Sequence, residues 1–487
     1  MLADKSTKCA TDGLNQKFKI VRSNNRKGIE VSSSLTPEDL QHKILVAVPV
    51  DGEVAHIQSL TFEAEKPFSE YVSDLATLYE TDQKASPEIG TKCKSCEFVC
   101  SQEDEKNGLK NGFKECWSQA LGWTEEDFSE PTVFDVWNFR GSEKLMSQGK
   151  FKLFDLDKDD LNIKDSKEPG LSTSQRQWLQ IETSHQEDPQ VYFDAEGMRT
   201  EMDSWTFPLH FIDFETTSVA IPFTKGRKPY EGVAFQFSHH MVYEDGKIEH
   251  SGEYLNTERG VFASFDFIRA LKAQLENDNG TIFRYADHEN SYLNFIYRQL
   301  QTTEENSSDH AELCAFIRSI THSSGSMDEQ WIGPRDMVDM LKLVKRYYYA
   351  PETKGSNSIK KVLPAILNVS SCLQQKYSQP IYGTANGIKS LNFENWRWIQ
   401  KENGKVIDPY KRLPKLFQDI EDYQLDLLTP DDQLVEGGAA HMAYARMQFE
   451  EMSDYEKQEL EKALLKYCEL DTLAMVMIYE AWRENLK

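Results

Sequence analysis

Phe207-Pro208-Leu209-His210-Phe211-Ile212-Asp213-Phe214-Glu215-Thr216-Thr217 is an apolar run that ends in two acids one residue apart. A short apolar run bounded by turn residues has the pattern of a buried strand. Alternate side chains of a strand share a face, so Asp213 and Glu215 project together while Phe214 turns into the core on the other side. Two carboxylates held side by side repel unless a cation lies between them. By itself an acid-x-acid triplet is weak, because a chain this acidic holds roughly a dozen by chance. The bland alternative is a solvated strand end with Thr216 and Thr217 opening a turn.

Working outward, Val233 to Val242 alternates, with Val233, Phe235, Phe237 and Met241 on one side. Glu244-Asp245-Gly246-Lys247 carries the Asp-Gly pair of a tight turn, and Ile248 to Leu255 returns as a third strand. Phe262 to Leu275 has helical spacing, Asn279-Gly280 is a turn, and Thr281 to Tyr285 reads as a fourth strand. Glu289 follows it and opens a helix whose Tyr292, Leu293 and Ile296 face inward, which brings Glu289 near the end of the first strand. This β-β-β-α-β-α order resembles the start of an RNase H-like α/β core, and it implies a mixed sheet flanked by helices. Towards the C-terminus, Leu464 to Met475 is helical in pattern, and Tyr467 and Asp471, at i and i+4, share one face. Glu469 projects from another face and reads as solvated. Asp336 and Asp339 stand at a helix start and read as caps or as support on the substrate side.

Together these residues resemble the DEDD exonuclease superfamily, in its tyrosine-bearing branch. Asp213 and Glu215 stand at the first motif, Glu289 at the second, and Asp471 with Tyr467 at the third. The second motif normally carries Asp, and Glu289 is one methylene longer. Over residues 205–487 the chain further resembles the bacterial family called domain of unknown function 2779. The matching stretches are Pro208 to Thr217, Lys228-Pro229-Tyr230, Phe235 to Ser238, Gly355 to Pro364 and Tyr467 to Met475. The resemblance implies a metal-dependent 3′-5′ exonuclease acting on DNA or RNA. Two Mg²⁺ or Mn²⁺ ions would be held by Asp213, Glu215, Glu289 and Asp471, and Tyr467 would orient the attacking water. The rival reading is a non-enzymatic scaffold, a nucleic-acid-binding or metal-binding subunit of a repair or defence complex.

Ahead of this domain the expected organisation is a small α+β region over residues 1–90, a cysteine-rich segment over 91–125 and a charged, irregular connector over 126–204. The first region contains a strand-like run, Ile44 to Val50, closed by an Asp51-Gly52 turn, and a helix from Phe68 to Tyr79. Cys93, Cys96, Cys100 and Cys116 have spacing suited to zinc or an iron-sulfur cluster. Cys314, Cys372 and Cys468 read as inert core residues. Cys116-Trp117 resembles the end of the RecB-like PD-(D/E)xK nuclease module that commonly precedes the domain in that family, and the resemblance implies a first cluster ligand far upstream, for which Cys9 is the substitute. Residues 1–90 lack that module's catalytic Asp and Glu-x-Lys, since Glu63-Ala64-Glu65-Lys66 is wrongly spaced, so its activity does not carry over.

The chain of 487 residues has 55 Lys+Arg against 80 Asp+Glu, a net charge of −25, so long-range attraction to a polyanion is excluded. Binding a nucleic acid then needs a local basic track. Lys345, Arg346, Tyr348, Lys354, Lys360 and Lys361 interleave basic and aromatic groups and form the expected substrate track. Hydrophobic residues make up 39%, enough for real cores. No apolar stretch is long enough to span a membrane and the start is polar, so a cytoplasmic protein without membrane partners is expected.

Overall fold

Leu209–Thr217 forms β1, the middle strand of a five-stranded sheet. Val233–Val242 (β2) and Ile248–Leu255 (β3) follow antiparallel, joined by a turn in which Gly246 takes a positive φ of 87°. That value suits the glycine of the Asp245-Gly246 pair. Helix α1, Ser264–Leu275, leads to β4, Ile282–Arg284, which runs parallel to β1. Helices α2 (His288–Thr302) and α3 (His310–Ile320) lead to β5, Val338–Asp339, parallel to β4. The sheet order is β3-β2-β1-β4-β5, mixed and flanked by helices as the sequence implies.

The structure, a computed structural model, describes residues 2–3, 18–23, 26–37, 45–62, 65–85, 88–186, 189–303, 307–325, 327–414 and 437–487. They fall into two compact units. One comprises Met1–Leu2 with Val46–Gln190, the other Ala3–Leu45 with Val191–Lys487.

In the larger unit the alternation of β1 sorts its side chains. Ile212 and Phe214 pack with α1, α2 and α3, whereas Leu209 and Phe211 pack with helices on the opposite face. Those helices are α4 (Met340–Tyr347), α5 (Ile359–Val369) and α6 (Ser371–Tyr377), together with the last and longest, α8 (Asp454–Asn485). Helix α7, Gly437–Phe449, and the first turns of α8 cover Val233 and Phe235 of β2. Asp213 and Glu215 therefore look toward α8, on the face opposite Phe214. No helix among the described residues is long and apolar enough to cross a membrane.

The residues ahead of β1 depart from expectation in two places. Within Ile44–Val50 only Leu45–Val46 is a strand, and Ile44 lies outside the described residues. Asp51-Gly52 opens the helix Asp51–Ser59 instead of closing a turn, because Asp51 and Glu53 put acidic side chains at the positive end of the helix dipole. The expected helix after it runs from Phe68 to Glu80. The stretch read as a charged connector is not irregular. It holds the helices Ser142–Ser147 and Thr173–Ser184, and Val133, Val136, Leu145, Leu153, Leu156, Leu161 and Ile181 form a core. Its charges pair off, as Lys150 does with Asp160 at 2.6 Å, and their density in the sequence hides the apolar residues from a periodicity reading.

Candidate active site

Three separate stretches of chain deliver acids to one place. Asp213 and Glu215 come from β1, Glu289 from the first turn of α2, and Asp471 from the middle of α8, one helical turn after Tyr467. All five line one open cleft of about 520 Å³. Asp213 is half-buried; the other four are buried.

Burial in company raises the carboxylates' proton affinity. Asp213 and Glu215 are pushed well above the ordinary carboxylate range, first by desolvation and then by like charge, above all that of Asp471. Desolvation pushes Glu289 up to about 8, against partial offsets from its own backbone N–H and then the Arg284 guanidinium. Asp471 is pushed up to about 6 by burial, with Tyr410 and Lys360 working in the opposite sense. Glu289 Oε2 is buried without a hydrogen-bond partner, an oxygen that asks for a cation or a proton.

Around the acids stand groups that sequence reading placed elsewhere or passed over. Tyr410 donates a hydrogen bond to Asp471 Oδ1 from a short 3₁₀ turn, Pro409–Arg412. Lys360, at the start of α5, has its Nζ 5.3 Å from the Tyr410 ring centroid and 5.0 Å from that of Tyr467. Cys468, read as inert core, is buried beside the acids, and its thiol lies 3.6 Å from Asp213 Oδ2. Burial keeps that thiol protonated. His288 Nε2 meets Thr216 Oγ1 at 2.9 Å, and His441 also reaches the cleft. Donor atoms of Asp213, Glu215 and Cys468 lie within 4.8 Å of one another.

The expected substrate track does not survive as a unit. Among the described residues lining the cleft, Lys360 is its sole member. Tyr348 is buried in a two-residue strand paired antiparallel to Tyr192–Phe193, so its ring is unavailable for stacking a base. Lys345 and Arg346 sit half-buried in the last turn of α4, and Lys354 and Lys361 are exposed outside the cleft. The basic and aromatic residues interleave in sequence, but the turn from α4 into the strand separates their faces.

Asp339 is a cap as expected, accepting from Leu341 N at 2.9 Å and from Lys342 N at 3.3 Å. Asp336 instead meets His322 Nδ1 at 2.9 Å. Glu469 corrects the sequence reading. It is wholly buried, accepting hydrogen bonds from Tyr382 at 2.6 Å and Asn392 at 2.9 Å, because this part of α8 is enclosed by protein on every face.

Cys93, Cys96, Cys100 and Cys116 are free and partly buried, and Cys9 lies outside the described residues. Cys93 and Cys96 sit at the short 3₁₀ turn Thr91–Ser95 and Cys116 on the helix Gly112–Leu121. The donor groups gathered within 4.8 Å among the described residues do not include these cysteines.

A family model described as Domain of unknown function (DUF2779) matches residues 210–358, a stretch that contains Asp213, Glu215 and Glu289. Tyr467, Asp471 and the cysteines lie outside the matched stretch. No curated protein and no solved structure matches the chain.

Proposed function

We propose that this protein is a metal-dependent nuclease that hydrolyses phosphodiester bonds in DNA or RNA, working inward from 3′ ends. The observation that carries the reading is the convergence of Asp213, Glu215, Glu289 and Asp471 from three distant stretches on one open cleft. Four acids with raised proton affinity are a liability to an isolated fold, and divalent cations convert it to binding energy. The donor set is oxygen-rich and includes the unpartnered Glu289 Oε2, which suits hard ions such as Mg²⁺ or Mn²⁺ held by these four residues. When bound, a pair of such ions activates a water and stabilises the leaving oxygen.

The chain's own groups do the rest. Tyr467, kept protonated by burial and the surrounding acids, has a hydroxyl with which to orient the attacking water. Lys360 offsets the charge of Glu215 and Asp471 and supplies a cation for a substrate phosphate. The test incubates end-labelled single-stranded DNA and RNA with Mg²⁺ or Mn²⁺, wild type beside Asp213→Ala and Asp471→Ala. The expected result is stepwise shortening from the 3′ end that both variants abolish. Binding without cleavage by the wild type would leave the scaffold reading in its place.

A further inference from the structure

Glu469, on the face of α8 away from Asp471, looks toward β3. Its carboxylate, that of Glu253 and the imidazole of His250 bring one donor atom each to within 4.8 Å of one another. His250 and Glu469 are wholly buried, while Glu253 opens toward solvent. The segment around Ser390 and Asn392 closes this side. Lys389 bridges to Glu249 of β3, and Asn392 Nδ2 donates to Glu253 at 2.6 Å and to Glu469 at 2.9 Å.

The surrounding hydrogen bonds fix which nitrogen of His250 carries its proton. Tyr382 donates its hydroxyl proton to Glu469, so it accepts from His240 Nε2, 2.9 Å away. With Nε2 donating, His240 turns its other nitrogen, Nδ1, to the Thr472 hydroxyl 2.7 Å away and accepts its proton. Thr472 then accepts from Ser238 at 2.8 Å, and Ser238 accepts from His250 Nε2 at 3.0 Å. Thr472 also faces carbonyls of its own helix, Glu469 O at 3.1 Å and Cys468 O at 3.4 Å, but its shorter contacts to His240 and Ser238 take its proton and its lone pair, so each proton in this chain is spent in one direction. His250 is thus a donor at Nε2 and presents Nδ1 to the carboxylates. That Nδ1 lies at ion-pair distance, 3.3 Å, from Glu469 Oε2, yet it is buried without a hydrogen-bond partner. A histidine whose second nitrogen is committed to a donor role, with the first aimed at two acids, is how a protein orients a metal ligand.

We infer that His250 Nδ1, Glu253 and Glu469 form a second metal site, separate from the acidic cleft, that takes a zinc-class divalent cation. Mixed imidazole and carboxylate ligands favour Zn²⁺ over Mg²⁺. A half-turn of the Asn392 amide offers its oxygen as a fourth ligand. The ion would tie α8 to β3 two residues before Asp471.

The test uses the full chain carrying Asp213→Asn and Asp471→Asn, to weaken the cleft, and Cys93→Ser and Cys96→Ser, to remove thiol binding. After chelation, Zn²⁺ is titrated by calorimetry in excess Mg²⁺. One equivalent is expected to bind and to disappear on adding Glu253→Gln, whose half-exposed site tolerates replacement even if Glu469→Gln unfolds the chain. Ser238→Ala, which releases the Nε2 proton's partner, should keep the stoichiometry and weaken binding about tenfold. Zinc uptake unchanged by Glu253→Gln, or no uptake at all in this background, overturns the site. Neither outcome bears on cleavage at Asp213.

Discussion

Tyr467 and Tyr410 both face Lys360 Nζ, their ring centroids 6.3 Å apart, and removing their hydroxyls should have different consequences. Tyr467→Phe takes away a group that orients water and is not itself a ligand. We expect cleavage to slow roughly 10²-fold while Mn²⁺ affinity by calorimetry stays put. Tyr410→Phe removes a hydrogen bond that lowers the proton affinity of Asp471. A bond to a charged acceptor contributes about 1.5 kcal/mol, so the acidic limb of the pH-rate profile should move up by about one unit, with the rate above that limb preserved. A profile unmoved in Tyr410→Phe would mean that Asp471 takes no part in the rate. The helical i, i+4 spacing made Tyr467 and Asp471 legible in the sequence. Tyr410 was not, because it reaches Asp471 from 61 residues away, out of a short irregular turn with no period to read.

At the scale of elements, β1 and its neighbours could be read because their alternation is written in large apolar residues and their turn in Asp245-Gly246. What failed were helix faces and short joins. Period 3.6 shows that Glu469 and Asp471 point in different directions, but not that both directions are protein, since residues Tyr467 to Tyr479 of α8 are buried without a break. The same limit applied to Tyr348, whose surroundings are set by a two-residue strand too short to announce itself. The parallel pairing of β1 with β4 aligns the ends that carry Asp213 and, through the next helix, Glu289. It is anchored where His210 N donates to Thr281 O at 2.8 Å and Thr281 N to Thr206 O at 2.8 Å. Gly280 sits against that join, and a Cβ there would run into the carbonyl oxygen of Pro208. Gly280→Ala should therefore destabilise the larger unit by roughly 1–3 kcal/mol, read from a denaturant midpoint that moves while the slope stays constant. Wild-type stability in this variant would show that the join yields without cost.

Across the whole molecule the net charge of −25 and the acidic cleft press in the same direction, and acid relieves both. Glu289 has an ordinary value of 4.5 and is raised to about 8, and Asp471 goes from 3.8 to about 6. Below their ordinary values both acids are protonated in the folded and the unfolded chain alike. As the pH rises through those windows the unfolded chain releases protons that the folded one retains, so metal-free stability falls until about pH 8. Metal competes for the same oxygens. Its stabilisation follows RT ln(1 + [L]/Kd) and should be greater at pH 8, where protons compete less for the sites, than at pH 5. General charge repulsion would also weaken the protein with rising pH, so a variant must separate the two causes. Asp213→Asn changes the net charge by one but breaks the cluster. Without metal at pH 8 it should melt at a higher temperature than wild type, and it should lose most of the Mn²⁺-dependent increase. An increase in melting temperature with Mn²⁺ that is equal at pH 5 and pH 8, or equal in Asp213→Asn and wild type, would place the bound metal outside this cleft.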